Sequence, residues 1–529
     1  MELHTAGHRS GVVCAPHHEA AEAGRSILAE GGNALEAMVA MAAMIAVVYP
    51  HMNHAGGDGF WLVRFPNGRV RAIMAPGPAG QDARPDLYRE YENIPARGPL
   101  AALTVPGAVG GWMLALEAAK ANGGTLPLDV LLLPAIVGAR NGYVVSRSQA
   151  DLTADKLSEL APVPGFAETF LLEGKPPSAG TTMMQEAFAA TLRHLALDGL
   201  DDFYRGDVGR ELAADLARIG SPVTREDLTR YNAYVAEPLA VELPSGTVYN
   251  TDAPTQGFAS LMILALFARL GVTEAGGFDH IHCLVEATKR ALRTRDRVLT
   301  DPNRLAHALD RCLEPRFIAG EVMKIDRRKA ARWPFTSGEG DTVWMGAADS
   351  SGLVVSYIQS LYWEFGSGCV LPQTGVLMQN RGASFSLQRG ALNLLAPGRL
   401  PIHTLNPALA VLKDGRVMAY GTMGGDGQPQ TQAALFTRYV TFGAPLDVAV
   451  DRPRWVLGRT WGDQLTKLRL ESRFDGILID RLAAAGHDVD VLPEPYSDTM
   501  GHAGAAVLHP DGSCEAAHDP RADGGAAGV

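Results

Sequence analysis

The rhythm of apolar positions changes along the chain and predicts a mixture of strands and helices. Gly11-Val12-Val13-Cys14-Ala15 is a short apolar run and reads as a strand. A helix over Glu19–Glu30 follows and stops at Gly31-Gly32, where a C-cap favours glycine. The next run, Ala37 to Tyr49, is apolar on every face and ends at Pro50. It is shorter than the roughly 20 residues that cross a bilayer, so it reads as a helix buried in a core. Phe60–Phe65 and Arg69–Met74 are strand-like and flank an Asn67-Gly68 hairpin turn. From residue 106 to residue 330 the pattern is mainly helical, broken at Pro162–Pro164 and Pro176–Pro177.

A polar loop, Phe335-Thr336-Ser337-Gly338-Glu339-Gly340, then ends at Asp341 and strand patterns take over. Thr342–Ala348 and Leu353–Leu361 read as one hairpin, and Ala408–Leu412 and Val417–Thr422 as another. Met423-Gly424-Gly425-Asp426-Gly427 leads into a helical run, Thr431–Val440. The order is not the regular alternation of a doubly wound sheet, which points to an α+β fold. No internal repeat is visible.

Composition narrows the function by exclusion. The 529 residues, 47% hydrophobic and 20% charged, have ordinary globular usage and enough length for a large core. With 47 Lys+Arg against 58 Asp+Glu, a net charge of −11, and no long basic block, nucleic acid and anionic membrane surfaces are poor partners. The cysteines Cys14, Cys283, Cys312, Cys369 and Cys514 are odd in number and lack CxxC spacing, so neither a disulfide framework nor a thiolate zinc site is expected. The first twenty residues lack the basic-then-apolar order of a secretory signal, and a cytoplasmic location is expected. His4, His8, His17, His18, His51 and His54 are crowded but form no HExxH, and read as surface or core histidines, His4 and His8 in a frayed end. No metal and no cofactor are expected.

Candidate chemistry is sparse. There is no GxSxG elbow, and Gly56-Gly57-Asp58-Gly59 and Gly424-Gly425-Asp426-Gly427 lack the context of a phosphate loop. Gly424-Gly425 sits at a strand-to-helix turn, where backbone N–H groups can face a developing oxyanion, although a plain tight turn has the same spacing. At Gly340-Asp341-Thr342 a polar loop becomes a strand that opens with Thr, which alone is structurally ordinary.

Taken together and in order, these segments carry more. Gly31-Gly32-Asn33-Ala34-Leu35-Glu36-Ala37, Gly56-Gly57-Asp58-Gly59-Phe60, Val105-Pro106-Gly107-Ala108-Val109-Gly110-Gly111-Trp112, Asp341-Thr342, Phe365-Gly366 and Asp519-Pro520-Arg521 resemble the γ-glutamyltranspeptidase family over nearly the whole chain. The resemblance implies an N-terminal-nucleophile hydrolase with a four-layer αββα sandwich, its N-terminal part large and helix-rich, its C-terminal part smaller and β-rich. It also implies a precursor that cuts itself between Asp341 and Thr342, leaving intertwined subunits of residues 1–341 and 342–529. Thr342 would be the nucleophile. A Thr hydroxyl is weak, but an N-terminal Thr carries its own base, an α-amino group of pKa about 7.7–8.0. By the same matching Gly424 and Gly425 fall on the oxyanion-hole glycines, and Ser360 on a family Thr that hydrogen-bonds the nucleophile.

The departures concern recognition. The Arg that grips the donor carboxylate in the family falls on Gln81, with Arg84 three residues on as a substitute. The Asp that accepts the α-ammonium falls on Ser384, an Asn on Tyr362, and two serines on His403-Thr404. The resemblance therefore implies retained chemistry with γ-glutamyl recognition lost. The stretches 361–368 and 423–430 resemble the oxamate amidohydrolase branch, whose donor is a small α-oxo acid amide, and Tyr362, His403 and Thr404 are the candidates for binding it. The segment from Phe385 to Pro401 is short for a closing lid. A γ-glutamyl transferase or hydrolase, a β-lactam-type acylase and an unprocessed binding protein are the alternatives. The expected partners are a small-molecule substrate and the chain's own two cleaved subunits, with pairing into a homodimer left open.

Overall fold

Strands that are apolar on both faces need cover on both sides, and the fold provides it with four layers. The computed structural model describes residues 3–333, 341–458 and 466–529, so the expected loop Phe335–Gly340 lies outside the described residues. One seven-stranded sheet runs edge to edge through Gly525–Gly528, Gly11–Ala15, Asp341–Asp349, Val354–Tyr362, Asp58–Arg64, Val70–Ala75 and Tyr234–Ala236. The other runs through His4–His8, Cys514–His518, Ala503–Leu508, Val417–Thr422, Ala408–Leu412, Gly246–Asn250 and Leu239–Leu243. Neighbouring strands in both are antiparallel.

Residue alternation along each strand assigns one face to each interface. Val12, Phe60, Leu62, Trp344 and Ile358 of the first sheet meet Leu409, Ala419 and Ala506 of the second. The intervening Val13, Trp61, Val63, Val343 and Met345 pack outward on the helices His18–Ala29 and Ala34–Val48. Ala408, Ala410, Met418 and Tyr420 face the helices Gly257–Phe267 and Phe278–Val298 on the opposite side. Both sheets are therefore sandwiched, which is the αββα arrangement expected.

The helix Ala34–Val48 starts where Asn33 accepts from the N–H groups of Leu35 and Glu36 while Glu36 bonds back to Asn33, a reciprocal capping box. All its residues are buried, as its lack of a polar face predicts. No described helix is long and apolar enough to cross a membrane. Cys14, Cys283, Cys312, Cys369 and Cys514 are all free and buried.

Three expectations need correction. His4–His8 is a paired edge strand against Cys514–His518, not a frayed end. The region read as mainly helical contains Tyr234–Ala236, Leu239–Leu243 and Gly246–Asn250, which extend one edge of each sheet by antiparallel pairing. The helix after the glycine loop begins at Gln428 rather than Thr431, with Pro429 in its first turn, and its α-helical part ends at Phe436.

Candidate active site

Three adjacent strands of the first sheet bring the expected nucleophile to a buried centre. Asp341 pairs with Tyr362, but Val343 pairs with Gln359, so the ladder slips by one residue around Thr342. Such an irregularity turns a side chain out of the regular alternation. Thr342 Oγ1 donates to Ser360 Oγ at 3.2 Å, and the Tyr362 N–H donates to the same oxygen at 2.8 Å. Thr342 and Ser360 are each 1% exposed, so water does not compete for that contact. On the far side of the Ser360 strand, Ser360 is paired with Asp58.

The second sheet supplies the other wall. After the strand Val417–Thr422 the chain turns at Gly424 and Gly425, whose φ values of +110° and +49° are left-handed and favour glycine. Among the described residues neither glycine's N–H donates to a backbone carbonyl. One turn on, Gln428 points its Nε2 at Thr342 Oγ1, 3.5 Å away, while its Oε1 accepts from Asn406 Nδ2 at 3.0 Å. The loop is pinned from behind. Arg295 donates to both carboxylate oxygens of Asp426, at 2.5 and 3.2 Å, and to Gln256 Oε1 at 2.7 Å. Gln256 Nε2 in turn donates to the carbonyls of Thr404 and Gly425, at 2.7 and 2.9 Å. One buried ion pair thus fixes the glycine turn and the His403-Thr404 segment together.

Trp344, two residues after Thr342, anchors the opening of this strand between the sheets. Its indole N–H donates to Ser356 Oγ at 2.9 Å. The ring packs closely against the second sheet because Gly421 has no side chain; a Cβ there would stand 2.2 Å from Trp344 Cδ1.

Beside this centre is a cluster of buried polar groups with unmet hydrogen-bonding capacity. Arg381 is 1% exposed, its guanidinium carbon sits 3.8 Å from the centre of the Tyr362 ring, and none of its side-chain nitrogens has a hydrogen-bond partner among the described residues. Burial lowers its pKa to about 10, opposed by Tyr362 and by the charge of Asp58. Asp58 Oδ1 accepts from Gly77 N and Gln379 Nε2, at 2.9 and 3.0 Å, while its Oδ2 lies 3.4 Å from His403 Nε2. Burial raises the Asp58 carboxyl to about 7 against the pull of Gln379 and Arg381. His403 is held well below its usual range by burial and then by the Arg381 charge. The Thr404 hydroxyl is also buried, with no hydrogen-bond partner among the described residues. Tyr362 adopts φ +89°, a conformation costly for a residue with a Cβ, and carries its ring against Arg381.

The structure therefore brings Thr342, Ser360, Tyr362, Gly424 and Gly425 to one centre, with His403 and Thr404 in the segment tied to the glycine turn. Gln81 and Arg84 are not drawn in; both are exposed, and the Gln81 backbone is held by Asp227. The Ser384 hydroxyl donates to the carbonyl of Ile402 at 3.2 Å. Sequence reasoning missed Asp58, Arg381 and Gln428. Gln428 was legible as the residue after the glycine turn, whereas nothing in the sequence marks Arg381 as a buried cation.

The model of the gamma-glutamyltranspeptidase family matches residues 20–529. The chain is 52% identical to an oxamate amidohydrolase proenzyme of Klebsiella pneumoniae, with 98% of each chain covered. It is 38% identical to a glutathione hydrolase-like YwrD proenzyme of Bacillus subtilis, again over 98% of each. A cephalosporin acylase from Bacillus halodurans superposes with a TM-score of 0.91 at 28% identity, covering 100% of this chain and 97% of that one. With its four-layer sandwich and its match along almost the whole length, the chain belongs to the gamma-glutamyltranspeptidase family and is an N-terminal-nucleophile amidohydrolase.

Proposed function

We propose that the protein is a self-processing amidohydrolase that uses Thr342 to hydrolyse a small α-oxo acid amide such as oxamate. The observation that carries this reading is the buried contact of Thr342 Oγ1 with Ser360 Oγ, directly after Asp341 and within reach of Gln428. The 52% identity to an oxamate amidohydrolase proenzyme supports the substrate class and a processing step.

In the precursor the Thr342 hydroxyl attacks the Asp341 carbonyl carbon. The C–N bond breaks as the nitrogen takes the hydroxyl proton, and the chain is joined by an ester. Water hydrolyses the ester, leaving the Asp341 carboxyl on residues 1–341 and a free α-amino group on Thr342. That amine is the base the reaction needs, because its pKa leaves part of it neutral at pH 7. It takes the hydroxyl proton as Oγ1 attacks the substrate amide. The tetrahedral oxyanion is stabilised by the N–H groups of Gly424 and Gly425, and donors so placed typically lower a barrier by about 3 kcal/mol each. The amine returns the proton to the leaving ammonia, water attacks the acyl-enzyme, and oxalate is released. Ser360 and Gln428 hold the hydroxyl in line, so the approach costs less ordering entropy. Tyr362, His403 and Thr404 line the acyl side.

The test is a comparison on one processed preparation. Ammonia release from oxamate should exceed turnover of γ-glutamyl-p-nitroanilide, and a preference for the γ-glutamyl donor would reject the substrate class in favour of a γ-glutamyl hydrolase.

A further inference from the structure

A cation buried without hydrogen-bond partners is unfavourable, because neither water nor protein replaces its lost hydration. Arg381 is such a cation, with Nε, Nη1 and Nη2 all unpartnered among the described residues. The site nonetheless keeps it, one aromatic ring from the nucleophile's strand: Tyr362, on which it stacks, pairs with Asp341 and donates its N–H to Ser360 Oγ. Stacking covers one face of the guanidinium and leaves its edge, the part that makes paired hydrogen bonds to a carboxylate, for another partner. Asp58 does not fill that role, since its Oδ1 is taken by Gly77 and Gln379 and, among the described residues, its Oδ2 has no hydrogen bond.

We propose that Arg381 is the receptor for the substrate's carboxylate, so that the enzyme is specific for small acyl donors bearing a single negative charge beside the scissile amide. This rests on the reading that Thr342 hydrolyses small α-oxo acid amides. The carboxylate gives the buried guanidinium an oppositely charged partner, and the guanidinium edge sets the donor's orientation. A zwitterionic donor is disfavoured at the same place, since its ammonium would share a buried site with a guanidinium. The receptor is not on the segment where the family resemblance put it: Gln81 and Arg84 are exposed, and the cation comes instead from the short turn Arg381–Ser384.

The experiment compares processed wild-type enzyme with Arg381→Gln and Arg381→Lys. The readouts are ammonia release from oxamate and from oxamide, its uncharged counterpart, and calorimetric binding of oxalate. Arg381→Gln should lower kcat/KM for oxamate at least 100-fold, mainly through KM, change oxamide turnover less than 3-fold, and weaken oxalate binding by a similar factor to the loss on oxamate. Arg381→Lys should bind oxalate at least 10-fold more weakly than wild type, because a point charge loses the paired geometry. Equal losses on oxamate and oxamide, or no loss on either, would overturn the proposal. If the wild type hydrolyses neither amide, the functional reading fails and oxalate binding alone judges Arg381: binding lost in the variants supports it, while binding unchanged, or absent in the wild type, refutes it. Should Arg381→Gln not fold or not process, Arg381→Lys decides by the same binding criterion.

Discussion

Replacing Ser360 with Ala tests how the proposed nucleophile, Thr342, is held. Its Oγ accepts from Thr342 Oγ1 at 3.2 Å and from Tyr362 N at 2.8 Å, in a setting closed to water. Ala removes one hydrogen bond to the Thr342 hydroxyl, worth about 0.5–1.5 kcal/mol net, and also the one from the Tyr362 N–H, worth about as much again. The first loss falls on catalysis. At about 1.4 kcal/mol per factor of ten it corresponds to roughly 2- to 12-fold in rate, and more if the freed hydroxyl turns away. The second loss falls on the Tyr362 backbone, whose φ of +89° needs the surrounding bonds to hold it. Ser360→Ala should therefore process itself and turn over about tenfold more slowly, and its urea midpoint should fall. Ser360→Thr, which keeps the hydroxyl, should stay within a few-fold of wild type. The assay follows precursor disappearance on denaturing gels and ammonia release under single-turnover conditions. A Ser360→Ala variant that matches wild type in both reactions would refute the reasoning.

Other residues give independent tests. Gln428→Leu removes the amide that reaches Thr342 and the acceptor for Asn406; both processing and turnover should slow by about tenfold, as read by the same gel and ammonia assays. Gly421→Ala drives a Cβ to 2.2 Å from Trp344 Cδ1, and such overpacking typically costs about 1–3 kcal/mol, so denaturant unfolding should show a lower midpoint and processing should be impaired. The Asp58 carboxyl is raised from 3.8 to about 7 on folding, so the stability tied to its bound proton is fully present below pH 3.8 and is lost as pH rises through 7. Relative to Asp58→Asn, the wild type should lose stability between about pH 4 and pH 8, and a difference between the two urea midpoints that does not change with pH would exclude the shift.

Much of this was legible in the sequence, for reasons that can be named. The strands beginning at Gly11, Val354, Ala408 and Val417 are short apolar runs bounded by turn residues, and both of their faces are buried, so composition and outcome agree. The pair Thr342 and Ser360 was legible from its position relative to the family's motifs, and the ladder between the two strands brings them into contact. Leu239–Leu243 was missed although it alternates buried and exposed, because it follows a long helical stretch and is short. Arg381 was missed for a different reason. Its significance lies in what does not surround it, and hydrogen-bond satisfaction is a property of the folded state. Asp58 sat in a glycine-rich run that lacks phosphate-loop context and was read only as part of the family resemblance; its glycines serve close packing, since a Cβ at Gly57 would stand 2.2 Å from the carbonyl oxygen of Ser360.

The most direct measurement for the central claim is the N-terminal sequence of the smaller fragment from purified, active protein, alongside Thr342→Ala. Wild type should give two chains, the smaller beginning at Thr342, formed without added protease or cofactor, and Thr342→Ala should remain one chain and release no ammonia from oxamate. An active wild type that remains uncut, a fragment starting at another residue, or a Thr342→Ala variant that still turns over would contradict the claim.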